Sequence, residues 1–349
     1  MKDSQHSSQK NNSPTKKKSF FMWLSFVNKP GQKKEKKEKS ARSKIVAHTH
    51  FFDVVVILLL LDAAATAIVV FYIQKINSYT LPVIKYPYLK INSIPLPHDL
   101  SSINASAAAY VVYDPSTRTV VAGKNQSLRF SPASTAKVMT AILSVEHYKL
   151  DDYLTVPQDI YIVQGSKMNL SPGEEVTVEN LLYGMMLPSG NDAAYTLAYY
   201  YPGGVNGFVR AMNRKAQELQ LENTHFIDPA GYEDGNFTTA EELARLGGYA
   251  LQKTELAKIV RTRSISVFNR AGTHQFILNN LNTLLQYEDV VGIKTGFTNE
   301  AGGVLLTALN KNSKLFIVAV LKSQDRFSDT WDIMQFIREK VAFSVPKVN

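Results

Sequence analysis

The chain has 349 residues, 45% apolar and 20% charged, which is enough to bury a sizeable core and excludes disorder throughout. It contains no cysteine, so a disulfide framework, a thiolate nucleophile, a Cys-ligated zinc and a thiol redox couple are all excluded. The net charge of +9 is localised: residues 1–50 hold 13 Lys and Arg against 3 Asp and Glu, a net of +10, and the other 299 residues hold 26 against 27.

Residues 1–52 are rich in Lys, Ser, Asn and Gln, a composition that predicts a disordered basic tail. Residues 53–73 are almost all Val, Ile, Leu, Ala or aromatic, and at about 1.5 Å per helical residue they cover the roughly 30 Å of a bilayer's hydrocarbon core. A single transmembrane signal anchor is expected there. Asp62 at its centre costs about 2.5–3.5 kcal/mol on insertion scales, against a return of about 0.3–0.6 from each of more than ten Leu, Ile and Val residues. A cleaved signal peptide ending at Ala65-Thr66-Ala67 is the competing reading, and the apolar run on to Ile73 argues against it. The Lys-rich flank precedes the span, so the N-terminus is expected in the cytoplasm and the remainder outside. That flank is explained without a nucleic-acid partner. Residues 74–100 carry Pro82, Pro87, Pro95 and Pro97 and predict an extended stalk.

A folded domain is expected over 101–349. Ala109–Tyr113 and Thr119–Ala122 read as strands around a polar turn, and 132–260 is mostly helical in period, with Val178, Leu181, Leu182, Met185 and Met186 on one helix face. Strands follow at 290–295, 303–309 and 314–321, then a closing helix capped by Ser328 or Asp329 with Trp331, Met334, Ile337 and Val341 on one face. Strands at both ends with helices between predict an α+β domain whose first and last segments share an antiparallel sheet packed with a helical subdomain.

None of the seven histidines falls in a metal-binding spacing, and no G-x-S-x-G elbow or phosphate loop occurs, so no metal or cofactor is expected. A lysine one helical turn from a serine can replace histidine as base if it is held neutral. S-x-x-K occurs four times, at Ser7, Ser13, Ser134 and Ser344, but only Ser134-Thr135-Ala136-Lys137 follows a proline and opens a helix predicted to be strongly amphipathic. Ser189-Gly190-Asn191 lies on a tight interhelical turn, and Lys294-Thr295-Gly296 ends a strand, followed by Phe297.

With S-x-x-K, S-x-N and K-T-G in that order, residues 100–340 resemble the penicillin-binding serine D-alanyl-D-alanine carboxypeptidases. Asp228-Pro229-Ala230-Gly231 and the segments around each motif resemble them as well. The resemblance implies a β-lactamase/transpeptidase-like fold and a peptidoglycan stem ending in D-Ala-D-Ala as substrate, with β-lactams as covalent inhibitors. It implies Ser134 as nucleophile, Lys137 as base with its pKa lowered by burial and by the charge of Lys294, Ser189 as proton relay, and Asn191 as a holder of the substrate amide and of Lys137. Lys294 and Thr295 would bind the terminal carboxylate, Gly296 would admit the substrate beside the strand, and the N–H groups of Ser134 and Phe297 would form an oxyanion hole. Secreted members carry a C-terminal β-rich domain and amphipathic anchor, neither of which is expected here, and the N-terminal span would replace that anchor. The same residues would serve a DD-endopeptidase acting on cross-links, or a slowly deacylating penicillin-binding sensor or wall-binding module. A β-lactamase is disfavoured because no loop glutamate has a clear claim to activate the deacylating water.

Overall fold

The computed structural model describes residues 35–78, 93–97 and 103–344, which fall into two units, residues 1–88 and residues 89–349. The basic tail up to residue 34 and the stalk over 79–92 and 98–100 lie outside the described residues.

In the first unit a single helix, α1 (Glu35–Ser78), runs for 44 residues. Its stretch Asp53–Lys75, 23 residues long and buried against nothing, is long and apolar enough to cross a bilayer. The helix is longer than the predicted span at both ends. Residues 35–52, expected to be disordered, and 74–78, expected to be stalk, are helical. The upstream segment is rich in Glu, Lys, Arg and Ala, which favour helix, and a stable neighbouring helix removes the cost of nucleating a new one.

The second unit begins with β1 (Ile94–Pro97), β2 (Ala109–Asp114), β3 (Thr119–Lys124) and β4 (Arg129–Phe130). A 3₁₀ turn, Ala133–Ala136, leads into α2 (Lys137–His147). Next come β5 (Tyr153–Thr155), β6 (Glu175–Thr177), α3 (Val178–Met186), α4 (Asn191–Tyr199) and α5 (Gly204–Glu218). The chain continues through β7 (Thr238–Thr239), α6 (Ala240–Ala250), α7 (Thr254–Arg261), β8 (Ser264–Phe268) and β9 (Gln275–Asn279). It closes with β10 (Val290–Thr298), β11 (Gly302–Lys311), β12 (Lys314–Ser323), α8 (Arg326–Lys340) and β13 (Val341–Ser344).

The main sheet is antiparallel in the order β10-β11-β12-β2-β3, so strands from the two ends of the domain meet at β12 and β2, where Val318 faces Val112. Alternate residues of these strands serve two cores. Val111, Leu306, Ile317 and Ala319 pack with the helical half, whereas Tyr110, Val112, Leu305, Phe316 and Val318 pack against Ile333, Met334 and Ile337 of α8. Burial on both faces explains why the strands read as continuous apolar runs.

Four local readings are corrected. β1, within the expected stalk, pairs with β13, and Lys314 Nζ donates to Ser93 O at 3.0 Å; two prolines are tolerated in such a short two-stranded edge. The helix after Ser134 is buried all round from Lys137 to Ser144 rather than amphipathic, because sheet and helices enclose it. The hairpin β8–β9 was not foreseen; only alternate residues such as Val267, Phe276 and Leu278 are buried, a weak pattern over five-residue strands. The cap of α8 is Asp325, whose carboxylate accepts from Phe327 N and Ser328 N, and Val341 begins β13 instead of extending the helix face.

Asp329, expected as a cap, is buried and takes hydrogen bonds from Ser106 N at 2.7 Å, Ser106 Oγ at 2.8 Å and Ser323 Oγ at 2.5 Å. It ties the segment before β2 to the start of α8. Asp329→Ala leaves three donors without their acceptor and is expected to destabilise the domain by about 2–4 kcal/mol, read as a lower Tm in thermal unfolding. An unchanged Tm would refute this role.

Candidate active site

The turn that carries Ser134 is 3₁₀, a geometry that eclipses residues i and i+3 and so stacks Ser134 on Lys137. Lys137 Nζ lies 2.9 Å from Ser134 Oγ and donates to Ala230 O at 2.8 Å. Its side chain is fully buried, and burial pulls its pKa down to about 7 against the opposing pull of Asp228 and Asp192. Lys294 on β10 is also buried; burial pushes it well below the ordinary lysine range, and the charges of Lys137 and Arg326 push in the same direction. The expectation that Lys294 depresses Lys137 is thus modified. Desolvation is the largest cause at both amines, and the charge of Lys137 adds to it at Lys294.

Two loops hold the base in place. Asp228 accepts from Ala230 N at 2.7 Å, Tyr232 N at 3.1 Å, Glu233 N at 3.0 Å and Asn236 Nδ2 at 2.7 Å, which folds the Asp228–Gly231 turn. That turn presents Ala230 O to Lys137 and Pro229 O to Thr140 Oγ1, the latter at 2.6 Å. Asp192, at the start of α4, accepts from Met168 N, Asn169 N, Leu170 N and Ala193 N and fastens the preceding loop beside Ser189 and Asn191.

Ser189 sits at φ +70°, in the left-handed region that non-glycine residues rarely occupy. Its Oγ is buried without a hydrogen-bond partner among the described residues, and so is Asn191 Oδ1. Asn191 Nδ2 donates to Gln164 O at 2.6 Å, which fixes the amide with its oxygen free. Among the described residues no hydrogen bond joins Ser189 to Ser134 or Lys137, and none joins Asn191 to Lys137, whose amine is taken by Ser134 Oγ and Ala230 O. Unpaired buried groups of this kind cost stability unless a ligand completes them.

The Cβ direction of Gly296 points at the nucleophile turn. A Cβ at Gly296 would lie 3.1 Å from Ser134 N and Ala133 Cβ and 3.2 Å from Pro132 O. Thr295 is buried beside Lys294, and the Phe297 side chain is 60% exposed, so any role for Phe297 at Ser134 falls to its backbone. Arg326 was not foreseen. Its guanidinium is half-buried, Nε has no partner among the described residues, and its charge acts on Lys294. Only its place one residue after the α8 cap could have drawn notice in the sequence.

Among the described residues no group of His, Asp and Glu is arranged to hold a metal ion. The arrangement is a serine hydroxyl against a buried amine, with two open polar acceptors on one side and cations on the other. A family model described as D-alanyl-D-alanine carboxypeptidase, Peptidase_S11, matches residues 97–325. The chain belongs to this family of serine peptidases. It is 34% identical over 229 residues to D-alanyl-D-alanine carboxypeptidase DacF of Bacillus subtilis, a match covering 63% of this chain and 58% of that protein. It is 30% identical over 250 residues to a D-alanyl-D-alanine endopeptidase of Escherichia coli, covering 69% of this chain and 80% of that one. The crystal structure of the Streptomyces K15 DD-transpeptidase superposes with a TM-score of 0.64 at 32% identity, covering 67% of this chain and 97% of that one. The fold is the α+β transpeptidase fold expected.

Gly231 marks how tightly this site is built. Its φ is +67°, and a Cβ there would lie 2.0 Å from Ala133 O. Gly272 has a φ of +69° with nothing within 4 Å of its would-be Cβ. Alanine at either position carries the strain of a left-handed backbone, roughly 1 kcal/mol, but only Gly231→Ala also displaces the nucleophile turn. Gly231→Ala is expected to lower Tm clearly more than Gly272→Ala; equal losses would show that the close approach carries no energy.

Proposed function

We propose that the chain is a membrane-anchored serine D-Ala-D-Ala carboxypeptidase that removes the terminal D-alanine of peptidoglycan stem peptides through an acyl-enzyme on Ser134. The observation that carries this reading is the contact between Ser134 Oγ and the buried amine of Lys137, whose pKa lies near 7. A neutral amine at that distance has a lone pair to accept the hydroxyl proton, so Ser134 Oγ attacks the scissile carbonyl as its proton passes to Nζ. The tetrahedral oxyanion is received by the N–H groups of Ser134 and Phe297. Ser189 Oγ relays the proton from Lys137 Nζ to the departing D-alanine amine, which returns Lys137 to its neutral form, and Asn191 Oδ1 accepts the N–H of the stem peptide. Both atoms are the buried unpaired groups of the site. Water then cleaves the ester, with Lys137 again taking the proton.

Lys294 and Thr295 hold the substrate's terminal carboxylate, and Arg326 joins them. An arriving carboxylate favours the charged form of Lys294 and supplies the partner that Arg326 Nε lacks. The same cations receive the carboxylate of a penicillin, whose strained amide acylates Ser134 in place of the peptide. Endopeptidase action on cross-links stands beside this reading because relatives of similar identity bear that name. α1 serves as the anchor, with its Lys-rich flank in the cytoplasm and residues 101–349 outside.

Intact mass after incubation with a penicillin should show one penicilloyl adduct on the full chain and none on Ser134→Ala. Release of D-alanine from an acyl-D-Ala-D-Ala peptide should accompany it. An adduct without sustained release would leave a penicillin-binding sensor, and no adduct on the folded chain would refute the reading.

The base must be neutral, so the acylation rate should rise with pH and level off above about 7. At pH 5 a group with that pKa is about 1% neutral, and acylation should be roughly a hundredfold below its plateau. Stopped-flow acylation by a fluorescent penicillin between pH 5 and 9 measures this. A flat profile would rule out Lys137 as the base.

A further inference from the structure

Beside Asn191 lies a cavity of about 270 Å³ whose walls include Asp159, Gln164, Tyr195, Tyr199, Tyr232 and Glu233. It is joined to the site at two points. Gln164 O is the acceptor of Asn191 Nδ2, and Tyr232 stands two residues from Ala230, whose carbonyl binds Lys137. The cations Lys294 and Arg326 belong to β10 and α8, elements that contribute nothing to this wall. A peptide whose terminal carboxylate sits on those cations and whose scissile carbonyl sits at Ser134 therefore sends its preceding residue past Asn191 toward the cavity.

The lining is mixed: Pro157, Ile160, Ile162 and Val163 give it aliphatic walls that suit a methylene stem, and acidic and aromatic side chains complete it. Two carboxylates and three tyrosines contribute, with no Lys, Arg or His, and neither the Asp159 nor the Glu233 carboxylate has a hydrogen bond or ion pair among the described residues. Tyr195 reports the same field: burial first, then the charges of Asp228 and Glu233, push its hydroxyl up to about 12. An ammonium group is attracted both by the carboxylates and by the faces of tyrosine rings. The volume falls below the roughly 300 Å³ at which pockets accept whole drug-sized ligands, which suits one side chain.

We propose that this cavity is a specificity subsite for the cationic side chain of the residue that precedes D-Ala-D-Ala, and that it favours a lysine-type side chain over one that ends in a carboxylate. The proposal rests on the peptidase reading above and adds what that reading leaves open, the identity of the third stem residue. Asp159 and Glu233 are exposed, so each ion pair is worth only a fraction of the energy of a buried one.

The test separates binding from reaction. The full chain in detergent micelles, carrying Ser134→Ala so that peptides stay intact, is titrated calorimetrically with two acyl-Xaa-D-Ala-D-Ala peptides in which Xaa is L-lysine or Nε-acetyl-L-lysine. The lysine peptide should bind about fivefold more tightly, and adding Asp159→Asn with Glu233→Gln should bring its Kd to that of the acetylated peptide. Equal Kd values before those two changes, or a preference that survives them, would overturn the subsite. D-alanine release by the chain with Ser134 intact is read in parallel: a lysine preference in Kd without release upholds the subsite and overturns the peptidase reading. Undetectable binding of both peptides overturns the subsite, whatever the release.

Discussion

Two lysine amines buried within reach of each other's charge set the terms for the rest of this site. Lys137 and Lys294 are both withdrawn from solvent, and an ammonium taken out of water without a matched anion costs several kcal/mol. Both cannot remain charged, so the pair sheds a proton more readily than an isolated lysine does. The outcome is a neutral amine against a serine hydroxyl near neutral pH, obtained without a histidine. The opposite pole is equally determined: Lys294, pushed down by burial and further by Lys137 and Arg326, regains its charge most easily when an anion arrives. The burial that creates the base also creates a receptor for a carboxylate.

Two carboxylates threaten this arrangement, since Asp228 and Asp192 both draw Lys137 back toward its charged form. Desolvation prevails because neither aspartate is spent on the lysine. Each accepts four hydrogen bonds, from backbone N–H groups and, for Asp228, also the Asn236 amide. Donors aimed at a carboxylate offset its charge as seen from elsewhere. The two acids thus work as anchors for the loops that carry Ala230 and Asn191, and they do so at the edge of the site without recharging the base.

Residue types and spacings carried much of this into the sequence. The i, i+3 spacing of Ser134 and Lys137 survives as a hydrogen bond, and the apolar runs that became β2, β11 and β12 were legible because both faces of the sheet are buried. Tertiary partners were not legible. Asp329 has the composition and position of a cap, but its carboxylate turns inward to Ser106 and Ser323, and Asp325 caps instead; only the fold brings residue 106 to residue 329. Arg326 matters through its distance to Lys294, which no local pattern encodes. Residues 35–52 read as disordered by composition and are helical by continuity with a strong neighbour, a cooperative effect that window-by-window reading misses.

Gly296 and Gly231 show where the catalytic geometry is stored. One lies on β10 of the sheet and the other on the turn before β7, and the Ala133–Ala136 turn is held between their bare backbones. Ala133 sits at φ +45°, a conformation that costs about 1–3 kcal/mol and persists only when its surroundings over-determine it. Main chain on both sides supplies that constraint, because a Cβ at Gly231 would collide with the turn and one at Gly296 would crowd it. Ser134 is therefore positioned chiefly by backbone against backbone. One methyl group at Gly231 reaches that turn directly.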